Sequence, residues 1–374
     1  MKKMSALYQT SFPALRGYQA GRAYYVTMCP LELISSLFDF DTEDESDPVA
    51  RAQRKLNKAR IPELAAYMIT NPKDYVFSAL TASVDGDIKF TAATPETPDT
   101  GLVTLPTSSQ FVINDGQHRR AAIQEALKQR PELQDETIAV VLFVDRGLRR
   151  SQQMFADLNK NAVRPTKSLG ILYDHRDQLS QLARQLMVEV PVFQKLTETE
   201  KSTISNRSRK LFTLSTIYFS TRLLLKKRPR SPVSIEEQAL AKAFWVEVCK
   251  NMSEWRDLAK SVVDSNHPRY VTAGQLRTDY VHAHGVAVQA IALAGAGLQE
   301  QETSRWREQL KGLGRIDWHR SNRKLWEGRA MIGGRMTNSQ NNVTLTANVI
   351  KKTLGVALTQ DEAKVEDIYD QGQS

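Results

Sequence analysis

The stretch QFVINDGQHRRAAIQEALKQRPELQDETIAVVLFVD, residues 110–145, is the most legible part of the chain. QFVIN is rich in β-favouring side chains and reads as a strand. The polar DGQHR that follows contains a glycine and reads as a tight turn. RAAIQEALKQR then spaces its apolar residues as an amphipathic helix does, and TIAVVLFVD is a continuous apolar run of strand length. Together they predict a β-turn-α-β unit.

Working outward toward the N-terminus, AYYVTM reads as a strand and LELISSLF, after Pro30, as a short helix. Asp39 to Asp47 holds six acids in nine residues and reads as a solvated loop. Leu56, Ile61, Leu64, Ala65 and Met68 recur at roughly helical spacing until Pro72, with Arg54, Lys55, Lys58 and Arg60 crowding the early turns. VFSALTASVDGDIKFTA alternates as a strand, turns at Asp85-Gly86 and resumes as a second strand.

Toward the C-terminus, Ser151–Asn159 reads as a helix leading into the polar turn NKNAVRP, and Thr166 or Lys167 begins the next helical stretch. Beyond about residue 175 strand signals nearly vanish. Amphipathic segments cover Gln178–Val188, Arg209–Lys227, Ile235–Asn251, Thr278–Leu298 and Thr303–Leu313. The fold class expected is therefore α+β, with a mixed core over residues 1–175 and a mostly helical domain over 176–374. RPRSP, Arg228–Pro232, is either a hinge or a loop within one domain.

With 374 residues, 41% of them hydrophobic, the chain can bury a core in each of two domains. Lys and Arg outnumber Asp and Glu by 51 to 42, for a net charge of +9, which favours a polyanionic partner. Cys29 and Cys249 are the only cysteines, too few for a disulfide framework or a zinc ribbon, and a reducing cytosol is the simplest compartment. MKKMSALYQTSFPALRGYQ lacks the apolar run of a secretion signal, and Val286 to Leu298 is too short and weak to span a bilayer.

Chemistry concentrates at the DGQHR turn. Gly116 permits close backbone approach at a helix start whose N–H groups can receive phosphate oxygens, and Arg119 and Arg120 add charge there. Asp115 can cap the helix or hold a cation, Gln117 can orient water, and His118 can bond a phosphate oxygen. The competing reading is a capped turn with a basic first helical turn, since the motif is no P-loop. Cys29 is either a reactive thiol or a buried structural one.

The strongest electrostatic feature runs from Lys201 to Arg230, with nine Lys or Arg and no acid. Arg207, Arg209, Lys210, Arg222, Lys226, Lys227, Arg228 and Arg230 suit phosphate contacts, while Phe212, Tyr218 and Phe219 read mainly as core. WHRSNRKLWEGR gathers Arg320, Arg323, Lys324 and Arg329 around Trp318 and Trp326, which read as packing anchors. His282 and His284 would diverge on a helix and make a poor metal pair.

INDGQHRRAAI resembles the signature of DGQHR-domain proteins, and MFADLNKNAVRPTKSLGILYD is similar to its continuation in the DndB family. RIPELAAYMITNPKDYVFSALTASVDG and WEGRAMIGGRMTNSQNNVTLTANVIKKTLG extend the resemblance over nearly the whole chain. It implies a ParB/sulfiredoxin-like N-terminal core in which Gly116, His118, Arg119 and Arg120 hold nucleotide phosphates. The later ParB nucleotide motif is matched loosely, by Asp157-Leu158-Asn159 with Asn161 and Arg164, so Asn159, Asn161 and Arg164 are further binding candidates. Sulfiredoxin has a cysteine where this chain has Gln117-His118, which argues against sulfinic-acid reduction.

The resemblance implies a cytoplasmic repressor that binds promoter DNA of a DNA phosphorothioate modification cluster, a system of restriction-modification type. ATP and Mg²⁺ at the turn, the metal on Asp115, would modulate that binding. Other DNA-modification proteins and a second copy of the chain are possible partners. The rival is a nucleotide hydrolase or DNA-processing enzyme, a weak ATPase with Asp115, Gln117 and His118 acting on water or phosphate. A bland interaction scaffold predicts neither activity.

Overall fold

The computed structural model describes residues 9–38, 58–146, 150–160, 165–205, 207–300 and 305–373. Contacts divide the chain into two units, residues 1–163 and 164–374. The first is built on a seven-stranded mixed sheet, its strands side by side in the order Lys89–Ala92, Thr100–Pro106, Gln9–Gln19, Arg22–Pro30, Thr137–Val144, Leu80–Asp85 and Gln110–Asp115, so the α+β class holds.

Strands β1 (Gln9–Gln19) and β2 (Arg22–Pro30) form an antiparallel hairpin. Its two-residue turn has positive φ at Ala20 (49°) and Gly21 (73°), the backbone twist that tight hairpins favour. The sequence pattern did not show β1. Only Phe12 and Ala14 along it are buried, and Pro13 interrupts the strand signal, although β1 pairs with neighbours on both sides.

Strands β3 (Leu80–Asp85) and β4 (Lys89–Ala92) appear where the pattern placed them, but they are not paired with each other. β4 runs along β5 (Thr100–Pro106) at one edge of the sheet, whereas β3 lies between β6 (Gln110–Asp115) and β7 (Thr137–Val144). The Asp85-Gly86 turn therefore sends the chain across the sheet.

The central unit is also rearranged. β3 is parallel to β7 and antiparallel to β6, so β6 and β7 run in opposite directions with β3 between them. Between them in sequence lies helix α3 (Gln117–Gln129), which buries Ala122, Ile123 and Ala126. It packs beside α1 (Leu31–Leu37) and α2 (Ile61–Thr70), and their Ile34, Ala65 and Met68 join Leu80, Ala82 and Ile113 in one core. Successive strand residues face opposite ways. Ser83 and Asn114 accordingly meet α4 (Ser151–Lys160) on the other side of β3 and β6.

Helix α5 (Lys167–Tyr173) groups with the second unit, so the break falls at 163/164, earlier than the 175/176 expected. Thr166 caps this helix, and Ser168 bonds Ser215 at 3.3 Å within that unit. Helix α6 (Gln178–Glu189) follows, capped by Asp177.

Arg209–Lys227 is helical only over α7 (Leu214–Leu224). Thr213 caps its start, and Phe212–Thr213 pairs in parallel with Thr197–Glu198. Ser234 and Glu237 form a capping box that starts α8 (Ile235–Asn251) where the sequence placed it. The RPRSP stretch is the loop before it, inside the second unit, with Val233 N–H donating to Gln178 Oε1 at 2.6 Å.

Short helices α9 (Ser253–Ser261) and α10 (Ala273–Asp279) precede α11 (Gly285–Glu300), a helix apolar almost all round and buried between α7 and α14 (Gln340–Leu354). A Cβ at Gly295 would come 2.3 Å from Phe244, so glycine is what lets that ring approach. Thr278–Leu298 is thus no single helix, being broken by a 3₁₀ turn at Val281–Ala283. Of the segment Thr303–Leu313, whose first two residues lie outside the described residues, Trp306–Leu310 is helical (α12) and tightens into a 3₁₀ stretch. Helix α13 (Arg323–Trp326), a small hairpin of Met331–Ile332 with Arg335–Met336, and α15 (Gln360–Gln373) complete the unit.

No helix among the described residues is long and apolar enough to cross a membrane. The acidic stretch Asp39–Asp47 lies outside the described residues.

Candidate functional site

The DGQHR turn forms where β6 ends at Asp115 and α3 begins at Gln117. Gly116 stands between them in the left-handed region, φ 105° and ψ 13°. A side chain there would be strained twice over, because its Cβ would also lie 2.4 Å from Leu80 Cδ2. As the N-cap residue, glycine presents no side chain to the first N–H groups of the helix.

The five polar residues around it divide into inward and outward groups. Arg119 Nη1 donates to Ser78 O, Ser78 Oγ and Ala79 O at 2.5, 2.6 and 2.6 Å, and Nη2 to Asp115 Oδ2 at 2.9 Å. It clasps the loop before β3 to the turn. Arg120 is buried, reaching Gln124 Oε1 at 3.1 Å and Ser35 O at 3.2 Å. Gln117 is buried too and donates to Ile113 O at 2.9 Å.

Asp115, 48% exposed, and the half-buried His118 are the outward pair. Burial lowers the His118 pKa, and the nearby cation Arg60 lowers it further, so the ring is neutral at pH 7. Arg60 is a neighbour of the turn that sequence reasoning counted only as a helix charge. Beneath the turn, the buried Asn114 amide joins Ser83 Oγ at 2.7 Å to Ser151 Oγ at 2.6 Å, fixing β6 against α4. The Asn159 side chain, Asn161 and Arg164 lie outside the described residues.

Among the described residues no group of three His, Cys, Asp or Glu side chains could hold a metal. Cys29 is buried, and desolvation pushes its thiol up to about 12. Such a thiol stays protonated at neutral pH and is a structural residue.

In the second unit the basic residues also separate. Arg207 and Arg209 are exposed in the loop before Phe212. Lys210 Nζ donates to Lys195 O at 2.9 Å, and Arg222 stacks over Phe219 with its guanidinium 5.3 Å from the ring centre. Lys226 pairs with Glu300, and Lys227 with Glu237 at 2.7 Å, whereas Arg228 and Arg230 are exposed. Phe212 and Tyr218 are core residues and Phe219 packs against them, as expected.

Of the second cluster, Arg323 and Lys324 are exposed. Arg320 is bonded to backbone carbonyls, and Arg329 is buried against Glu366 at 2.9 Å. Trp318 and Trp326 stack on each other in the core. His282 and His284 lie in and just after a 3₁₀ turn rather than on an α-helix, and have separate partners. Nδ1 of the first accepts from Trp255 Nε1 at 3.0 Å, and Nε2 of the second bonds Arg277 O at 2.9 Å.

Fold and site together define a protein with a glycine-opened helix start on a mixed sheet, joined in sequence to a helical unit that exposes cations. A family model described as DndB, DNA-sulfur modification-associated, matches residues 12–357, and the chain belongs to that family. The family links it to DNA sulfur modification. No curated protein and no solved structure matches it.

Proposed function

We propose that this chain is a DNA-binding transcriptional regulator, a repressor of a DNA phosphorothioate modification gene cluster, whose DNA affinity changes when ATP binds at the DGQHR turn. The observation that carries the DNA reading is the set of exposed cations Arg207, Arg209, Arg323 and Lys324 on the helical unit of a protein tied to DNA modification. Exposed cations of this kind serve phosphate contacts, which supply affinity without reading sequence.

The nucleotide reading has narrower support. Gly116 brings no capping side chain, which leaves the N–H groups of the first turn, with the neutral His118, to receive phosphate oxygens. Asp115 has its second carboxylate oxygen for Mg²⁺, which would take its remaining ligands from water and phosphate. Arg119 and Arg120 support the turn from behind through their internal bonds. Nucleotide hydrolysis is the second reading, favoured by a half-exposed Asp115 carboxylate and a neutral His118 imidazole within one turn of sequence.

The test is fluorescence anisotropy on a labelled duplex from upstream of the chain's own gene, with and without ATP and Mg²⁺, paired with a phosphate-release assay. Binding that shifts with ATP in the wild type, and no longer shifts in His118→Ala, is the expected result. DNA affinity indifferent to ATP in the wild type would remove the nucleotide switch. Steady phosphate release without an effect on DNA would favour the enzyme.

A further inference from the structure

The two basic stretches that lie far apart in sequence meet within the helical unit, and two arginines join them. Arg277 of α10 is buried and sends Nη2 to Ser205 O and Ser208 O, at 2.9 and 2.8 Å, and Nη1 to Lys210 O. This fixes the loop that carries Arg207 and Arg209. The Arg277 carbonyl in turn accepts from Arg320 Nη1 at 3.2 Å. Arg320 also reaches Thr278 O at 3.1 Å and, through Nη2, Gly334 O at 3.0 Å.

Gly334 belongs to the hairpin turn that presents Arg335, and Arg323 Nη2 lies 3.1 Å from where a Gly334 Cβ would stand. Carbonyl partners satisfy guanidinium donors without cancelling their charge, so both clasps add positive potential to the face they assemble. Of the acids nearby, Asp317 bonds His319 N–H and Asn322, and Glu327 takes the N–H groups of Gly333 and Gly334. Asp279 and Glu254 lie near Tyr280, and Glu198 lies near Lys210. Arg207, Arg209, Arg323, Lys324 and Arg335 are all exposed.

The rest of the Lys201–Arg230 window lies elsewhere. Helix α7, 11 residues long, places Lys226 to Arg230 about 15 Å from the Lys210 end along its axis. There Lys226 and Lys227 are already paired with Glu300 and Glu237. We propose that the composite face of the 205–210 loop and the 320–335 segment, and not the 201–230 window as a whole, seats the phosphate backbone of double-stranded DNA. This rests on the DNA-binding reading above and specifies its surface.

Three charge-reversal variants of the full chain test it, each checked for a wild-type thermal melt: Arg207→Glu with Arg209→Glu, Arg323→Glu with Arg335→Glu, and Arg228→Glu with Arg230→Glu. Kd is measured over a salt series on the chain's own upstream duplex and on a scrambled duplex of equal length. The first two variants should weaken both duplexes alike and lower the slope of log K against log salt by about 2 each, about 1 per lost phosphate contact. The third should bind as the wild type does. If either of the first two variants fails to melt as the wild type does, the same pairs changed to Gln take its place, with the same expected direction.

Wild-type affinity and slope in the Arg323/Arg335 variant, or a loss confined to the Arg228/Arg230 variant, would overturn the composite face while leaving DNA binding intact. A wild type that binds neither duplex would overturn the DNA reading itself.

Discussion

Arg119 concentrates the difference between a motif and a site. In sequence it is one of two adjacent cations at a helix start, and in the fold its guanidinium is held by Ser78, Ala79 and Asp115. A planar fork can span those partners, whereas an ammonium is a single point charge. Arg119→Lys should therefore destabilise the protein almost as much as Arg119→Ala, by about 1.5–3 kcal/mol, the usual worth of hydrogen bonds to a charged group. Urea unfolding of the two variants checks this; a stable Lys variant would show that charge alone suffices. Gly116 was legible as a backbone requirement from the motif. That Leu80 also presses on it was not, because Leu80 arrives from another strand.

Helix α15 is attached to α14 by buried ion pairs rather than by a broad apolar seam. Glu366 receives Arg329 at 2.9 Å, Lys352 at 2.6 Å and Asn348 at 2.9 Å, and Lys351 meets Glu362 at 2.6 Å. Burial alone would raise the Glu366 pKa, but the bonds from Arg329, Lys352 and Asn348 outweigh it and hold it at about 2. Removing one partner strands the others, so Glu366→Ala should cost about 3–5 kcal/mol. Asp361→Ala, which removes an exposed carboxylate, should cost less than about 1 kcal/mol. Chemical denaturation of both variants measures the contrast, and equal losses would contradict the buried network. The amphipathic pattern could not distinguish Arg329 from the exposed Arg323 and Lys324, because all three stand in one basic run.

Two acids, Glu254 and Glu366, and two histidines should make the stability of the protein depend on pH. Burial keeps the His282 imidazole neutral, with Trp255 donating to Nδ1, Tyr280 stacked on the ring and Glu254 3.5 Å from Nε2. Burial lowers His284 to about 4 from an ordinary 6.5; its bond to Arg277 O opposes this, and the Arg320 and Arg277 charges add lesser lowering effects. Because the unfolded chain takes up protons that the fold refuses, stability present above about pH 6.5 should fall as pH drops toward 4. Glu254 and Glu366, both held near 2, extend the loss from about pH 4.5 downward. Urea midpoints at pH 7.5, 6.5, 5.5 and 4.5 would show the decline, and a flat profile would mean these groups titrate normally in the fold. By itself the sequence determined the α+β class, the β6-turn-α3-β7 order, the helical second half and the basic character of Lys201–Arg230, because apolar periodicity, turn residues and charge are local properties. Tertiary structure alone decided that β3 separates β6 from β7, that Pro13 sits in a central strand and that Arg119 and Arg120 turn inward. It also decided that Arg277 and Arg320 tie the 205–210 loop to the 320–335 segment. Each of these depends on which distant segments pair, and pairing is fixed by burial and hydrogen-bond satisfaction over the whole unit.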